Sequence, residues 1–271
     1  KRDDLNHPTI QGNKLHKLKF NLKQAEQENK DTLLTFGGAY SNHIAATAAA
    51  GQAFGFKTIG LIRGEELANR PETWSRTLHE AQANGMRFIF LSREAYRRRH
   101  DPQFLMTLQQ THPSAYLLPE GGTNLLAVKG FQTLSEDLEA QCPAWNQLYT
   151  AVGTGGTLAG LARYSQPAPE RRIFGVATLK ESRYLLPEIR RYIDSDIHWQ
   201  LLETYHAGGY AKTDAATQAS SDWFETTFNI SLDPVYTAKM VHAFIDRLRH
   251  NQIPPGSRII LYHSGGLQGR V

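Results

Sequence analysis

The chain has 271 residues, 40% of them apolar, and a formal charge of +4 from 30 lysines and arginines against 26 acids, enough for one large or two ordinary domains with buried cores. Its basic residues are dispersed, the densest run at 97–99 adjoins Asp101 without interleaved aromatics, and no apolar run approaches membrane length, so neither nucleic-acid binding nor a membrane span is expected. The single Cys142 excludes an internal disulfide and a cysteine zinc site, leaves no metal expected, and fits a reducing cytoplasm. The ends, Lys1 without a methionine and Val271 just past a glycine-rich turn, are compatible with trimming, so the lack of a signal peptide carries little weight.

In "QGNKLHKLKF" (11–20) and its continuation, Leu15, Leu18, Leu22 and Ala25 recur at spacings of 3, 4 and 3, which predicts a helix over 14–28. Lys14 then sits at the helix N-terminus, where unpaired N–H groups and aligned peptide dipoles disfavour a cation by about 0.3 to 1 kcal/mol. Two readings compete. Lys14 is a solvated lysine that tolerates this cost, or its pKa is pushed down and its amine is suited to Schiff-base chemistry. The segment alone favours the first. Lys17, Lys19 and Lys23 are expected to be solvated helix residues.

Further along, "TLLTF" (32–36), "TIGLI" (58–62), "RFIFL" (87–91), "AYLL" (115–118), "QLYTAV" (147–152), "RIFGVA" (172–177) and "RIILY" (258–262) read as buried strands with helical patterns between most of them. That alternation predicts an α/β protein with mainly parallel sheets, in one sheet or two, with ligands beyond the carboxyl ends of the strands. Three strands run into glycine, at "GGAYSNH", "GTGGT" and "HSGG". Glycine there lets backbone N–H groups approach a ligand, and three such turns point to a shared site.

"AVGTGGTLAGL" (151–161) joins a strand, small residues and a helix N-terminus, the elements of an anion cradle. A Walker loop needs a lysine before its Ser/Thr, where Gly156 stands, and a dinucleotide fingerprint needs a glycine where Leu158 stands. What remains is a loop for a single phosphate, with the Thr154 and Thr157 hydroxyls as extra donors. A phosphate without a nucleotide, together with a suspect lysine, points to pyridoxal phosphate, whose aldehyde reacts with lysine and whose ring is an electron sink.

"GNKLHKL", "GGAYSNH", "PEGGTN", "VGTGGTLAGL", "LDPVYTAK" and "YHSGG", in this order over nearly the whole chain, resemble the D-cysteine desulfhydrase / 1-aminocyclopropane-1-carboxylate deaminase family of fold type II pyridoxal phosphate enzymes. The resemblance implies a tryptophan synthase β-like fold of two open α/β domains: a large cofactor-binding domain from 1–20 and 130–271, a small domain from 21–129, and the cofactor in the cleft between them. It implies that Lys14 carries the cofactor, that Gly153, Thr154, Gly155, Gly156 and Thr157 hold its phosphate, that Asn42 meets the ring's phenolic oxygen, and that Ser264 faces the pyridine nitrogen. Ser41, Asn42 and His43 would receive the substrate carboxylate or move a proton. Tyr236 and Tyr210 are similar to the two tyrosines the family places over the cofactor.

Each residue also has a plainer role: Ser41 as a helix N-cap, His43 as an ordinary helix histidine, the tyrosines as packing, Glu120 as a loop-entry carboxylate. Departures from the family are His16 for an arginine, and Tyr40 for a glutamine or similar polar residue, the bulkier Tyr40 being expected to narrow the pocket or stack on the substrate. Thr237 also replaces the glutamate that follows the second tyrosine in cyclopropane-opening deaminases. The last departure, with a hydroxyl rather than a carboxylate at Ser264, favours α,β-elimination of a small amino acid, D-cysteine above all, to pyruvate, ammonia and sulfide. Cyclopropane deamination, racemisation, β-replacement and a non-catalytic cofactor or phosphate carrier are the alternatives. A homodimer is expected.

Overall fold

A computed structural model describes residues 1–194 and 198–267. Its contacts divide the chain into two units, one of Lys1–His7, Gln11–Asn13 and Val128–Arg270, the other of Pro8–Ile10 and Lys14–Ala127.

The unit around Lys14–Ala127 holds α1 (Asn13–Gln27), β1 (Thr32–Gly38), α2 (Asn42–Phe54), β2 (Lys57–Arg63), α3 (Arg76–Ala83), β3 (Met86–Leu91), α4 (Arg93–Arg97), α5 (Pro102–Thr111) and β4 (Ala115–Leu118), and α6 (Leu125–Lys129) begins at its end. The four strands are parallel in the order β3-β2-β1-β4. Parallel strands connected by helices are covered on both faces and so read as continuous apolar runs. Thus Leu33 of β1 packs with Leu18 and Leu22 of α1 and Ala46 and Ala50 of α2, while Leu34 and Phe36 pack on the other side with Tyr96 and Leu105. The crossover helices begin where side chains satisfy their first N–H groups: Ser75, Ser92 and Asp101 accept from Leu78, Ala95 and Phe104, and Pro102 occupies the first turn of α5, where its missing donor costs nothing.

The other unit carries α7 (Gln132–Gln141), β5 (Gln147–Val152), α8 (Gly156–Tyr164), β6 (Arg172–Ala177), α9 (Leu185–Arg190), β7 (Trp199–Leu202), α10 (Ala215–Phe228), α11 (Thr237–Arg249) and β8 (Ile259–Leu261). Its sheet is also parallel, in the order β7-β6-β5-β8. Leu148 and Val152 of β5 pack with Leu158 and Leu161 of α8, and Tyr149 and Ala151 pack with Ala238 and Val241 of α11. The N-terminal segment is stitched to the end of this sheet: Arg2 bridges His263, the Tyr262 hydroxyl donates to Asp3 Oδ2 at 2.8 Å, and the Gly12 and Asn13 amides donate to Asp3 O and Ser264 O.

All seven expected strands are present and parallel. β7 was not expected, because "WQLL" is four residues long, has no β-branched side chain and fits a helix equally well. The helix expected over 14–28 runs one residue earlier at each end. Among the described residues no helix is long and apolar enough to cross a membrane.

Candidate active site

In the unit of Lys14–Ala127, Lys14 is the second residue of α1 and half-buried. Lys19 and Lys23 are exposed as expected, but Lys17 is not: it is only 3% exposed, and its Nζ donates to Gly121 O at 2.8 Å and Thr123 Oγ1 at 3.0 Å. The solvated reading of Lys17 is therefore corrected. It lies three residues after Lys14 and one turn before Asn21, so the inward face of α1 includes polar groups beside the leucine stripe. Asn21 and Asn124 exchange amide hydrogen bonds at 2.7 and 3.2 Å, which fastens the loop of residues 119–124 to α1. Burial, and then the positive charge of Lys14, push the Lys17 pKa well below its ordinary value. Glu120 in the same loop is taken up by the Tyr96 hydroxyl and Arg99 Nε, each at 2.6 Å.

β1 ends in a glycine turn that delivers Ser41, Asn42 and His43 to the start of α2. Ser41 is the N-cap, accepting from the Ile44 amide at 3.4 Å, so the plainer role holds for it. Tyr40 beside it is 54% exposed. Asn42 Oδ1 is buried without a hydrogen-bond partner among the described residues. His43 is fully enclosed, and the main chain passes so close that a Cβ on Gly122 would lie 2.8 Å from its Cε1. Its Nε2 is 2.9 Å from Thr35 Oγ1. Because that hydroxyl donates to Leu118 O at 3.1 Å, it must accept from His43, which places the proton on Nε2 and leaves Nδ1 a bare lone pair. Nδ1 has no partner among the described residues. A bare lone pair accepts a hydrogen bond or a proton, but repels a carboxylate. Two unpartnered polar atoms on adjacent residues, each costing about 1–3 kcal/mol when left bare, mark this turn as the polar end of the unit.

Burial first, then the charges of Lys14 and Lys17, push the His43 pKa well below the usual histidine range. A histidine whose folded pKa is depressed contributes stability that is complete above its unfolded pKa of about 6.5 and is lost as pH falls below it, because the unfolded chain takes up the proton first. Stability measured by denaturant unfolding from pH 7.5 to 5 is expected to fall more steeply in wild type than in His43→Gln. Parallel curves for the two proteins contradict the buried neutral imidazole.

In the other unit, β5 runs into residues 153–155 and then α8. Gly155 is the N-cap of α8 at φ 83° and makes no side-chain cap hydrogen bond. Only glycine adopts this conformation cheaply, and a glycine N-cap supplies no side-chain acceptor to the first-turn N–H groups at the positive end of the helix dipole. Thr157 in that turn accepts a hydrogen bond from Asn13 Nδ2 at 2.8 Å, and Asn13 is the residue before Lys14. Tyr236, at the N-cap of α11, lays its ring beside Gly153, where a Cβ would stand 3.1 Å from Tyr236 Cε1. The rings of Tyr236 and Tyr210 meet edge to face at 6.5 Å. Ser264 is 9% exposed, and its carbonyl accepts the Asn13 amide at 3.1 Å. Of the predicted residues, this unit therefore brings together Gly153, Gly155, Gly156, Thr157 and Tyr236, with Tyr210 beside Tyr236 and Ser264 joined to the loop through Asn13. Thr154 lies in the turn between Gly153 and Gly155.

Thr237 Oγ1 accepts from the Asp233 amide at 2.7 Å and lies 3.3 Å from the Asp233 carbonyl, to which it donates, so that hydroxyl is used within its own turn. Lys239, which sequence reading did not single out, is completely buried in the first turn of α11, and its Nζ donates to Gly209 O at 2.8 Å and Thr178 O at 3.2 Å. A lysine two residues past a buried threonine on an apolar helix face was the available signal.

The family model described as pyridoxal-phosphate dependent enzyme matches residues 1–265. The chain is 28% identical to a putative 1-aminocyclopropane-1-carboxylate deaminase of Thermotoga maritima, over 99% of this chain and 88% of that one. It is 28% identical to a D-cysteine desulfhydrase of Klebsiella pneumoniae, over 98% and 85%. Superposed on a crystal structure described as an ACC deaminase homologue it gives a TM-score of 0.82 at 23% identity, covering 99% of this chain and 84% of that one. Pyridoxal phosphate offers a phosphate, and the first turn of α8 behind the glycine N-cap Gly155 fits it. With that family model matched over residues 1–265, the chain belongs to the pyridoxal-phosphate-dependent enzymes.

Proposed function

We propose that this chain is a lyase that removes the β-substituent and the amino group of a small amino acid, D-cysteine foremost. The reaction breaks Cα–H and Cβ–S to release sulfide and leave aminoacrylate, whose imine tautomer water hydrolyses at Cα–N, so D-cysteine and water give sulfide, pyruvate and ammonia. Pyridoxal phosphate, when bound, supplies the electron sink that makes the Cα–H bond acidic.

The chain's own residues divide the remaining work. Lys14 holds the cofactor through Nζ and is a candidate to take the α-proton. The N–H groups at 155–157, with Gly153 and Thr154, hold the phosphate by the donors and dipole of α8. Asn42 donates to the ring oxygen, and Ser264 offers a hydroxyl to the ring nitrogen. Ser41 at the start of α2 receives the substrate carboxylate with the Asn42 amide, and the bare Nδ1 of His43 takes a donor hydrogen rather than that carboxylate. Tyr236 and Tyr210 stack or move a proton in this reading, supported by their edge-to-face contact; moving a proton with a phenol of pKa about 10 needs a neighbouring charge.

The observation that carries the reading is Asn13: its side chain grips Thr157 in the first turn of α8 and its backbone continues into Lys14. The relatives named desulfhydrase and deaminase leave two substrates in view. Thr237 favours elimination, since the position that the resemblance gives to a glutamate in cyclopropane-opening deaminases holds a hydroxyl already used by Asp233. A homodimer in a reducing cytoplasm belongs to the same reading; light scattering of the holoenzyme tests the dimer.

The deciding experiment offers D- and L-cysteine, D- and L-serine and 1-aminocyclopropane-1-carboxylate to the holoenzyme and assays sulfide, pyruvate and 2-oxobutyrate. Sulfide and pyruvate in equal amounts from D-cysteine are expected. 2-Oxobutyrate from the cyclopropane substrate, with no sulfide from D-cysteine, overturns the elimination reading.

A further inference from the structure

The segment that carries Tyr210 has an unusual backbone. Ala207, Gly208, Gly209 and Ala211 stand at φ 51°, 90°, 124° and 54°, left-handed values that cost a side-chain-bearing residue on the order of 1–3 kcal/mol each and persist only where the surroundings hold them. Within the segment, the Gly209 amide donates to His206 O at 2.9 Å and the Lys212 amide to Gly209 O at 3.2 Å, and the Gly208 amide donates to His206 Nδ1 at 3.0 Å. These are local bonds that close the turn on itself but do not place it.

Lys239 supplies a bond from outside. Its Nζ meets Gly209 O at 2.8 Å and Thr178 O, just past the end of β6, at 3.2 Å. It lies three residues after Tyr236, so one side chain ties together the helix start bearing one tyrosine, the turn bearing the other and the end of a central strand. A fully buried ammonium whose acceptors here are carbonyls is expensive, and an apolar residue of its size would ordinarily be cheaper. Burial pushes its pKa down to about 8, against the pull of Asp233 and Asp214.

We propose that Lys239 is a positioning residue: by holding the carbonyl next to Tyr210, it sets the Tyr210 phenol against that of Tyr236 for the reaction. This rests on the role assigned above to the two tyrosines, but the anchoring itself is measurable without any reaction.

The test compares wild-type holoenzyme with Lys239→Met and Lys239→Arg. Amide hydrogen exchange at 206–212 is expected to quicken about 10-fold or more in Lys239→Met, with the rest of α11 protected as in wild type. kcat is expected to fall about 10-fold with KM within about 2-fold, the mark of a misplaced group rather than lost binding. Lys239→Arg, which keeps the charge and the donors, recovers most of that loss. Lys239→Met combined with Tyr210→Phe is expected to be no slower than Tyr210→Phe alone, since both remove the same contribution. If Lys239→Met does not fold, Lys239→Gln takes its place in every arm. Unchanged protection at 206–212, or losses that multiply in the double variant, overturn the proposal. Faster exchange in a protein that eliminates none of the amino acids offered leaves the anchor standing and removes the proposed function instead.

Discussion

Lys14→Ala is expected to make no measurable pyruvate, with turnover down by at least about 1000-fold, because the proposed function gives this one residue both the cofactor and a candidate role in taking the α-proton, and positioned acid–base groups alone contribute about 100- to 10,000-fold. Stability, in contrast, changes by no more than about 1 kcal/mol. Lys14 sits half-buried in the first turn of α1, alanine is the best helix former, and removing a cation from that end relieves the dipole. Activity lost with the fold intact is the signature to look for, in assays of pyruvate beside a thermal melt. Should Lys14→Ala retain even a tenth of wild-type turnover, the assignment of the chemistry to this lysine is wrong.

Gly12→Ala is expected to be the costliest of the small changes. At φ 66° a Cβ on Gly12 would stand 1.8 Å from Ser264 O, 2.3 Å from Ser264 C and 2.6 Å from Gly265 N. All three are main-chain atoms, so no rotamer change relieves the clash; the two segments must part by more than an ångström. Parting them breaks the bond from the Asn13 amide to Ser264 O and disturbs those from the Gly12 amide to Asp3 O and Asn6 Oδ1. The expected loss is about 3 kcal/mol, a fall in melting temperature of about 5–10 °C, together with weaker cofactor retention, because Ser264 and Asn13 move. Gly256→Ala is the control: φ is 78° there, but a Cβ meets nothing within 4 Å, so the left-handed conformation alone costs about 1 kcal/mol. Equal losses for the two variants contradict the close approach of residue 12 to Ser264.

Much of the fold was legible because parallel strands covered on both faces must be apolar throughout, so "TLLTF" and "QLYTAV" stand out between amphipathic stretches. β7 was hidden, since one tryptophan is the only strand-favouring residue among its four and the rest fit a helix equally well. The positions of several candidate residues were legible: glycine before α8, serine at the start of α2 and a lysine at the head of α1 stand on their elements as the residue pattern predicts. Polar residues that face inward were not. Lys17 lies between the leucines of its stripe, and only the carbonyl and hydroxyl of the distant loop at 121–123 explain why it is buried. Lys239 likewise needs Gly209 and Thr178, which are 30 and 61 residues away in sequence. His43 illustrates a third limit. Its proton position depends on where the Thr35 hydroxyl points, a chain of two hydrogen bonds that residue spacing does not report.

The central claim is that Lys14 carries pyridoxal phosphate. It is tested most directly by adding the cofactor to purified protein, recording the visible spectrum, reducing with borohydride and mapping the labelled peptide. A visible band that is lost on reduction, with the label on Lys14, is the predicted result. No band, or a label on Lys17 or Lys239 instead, contradicts it.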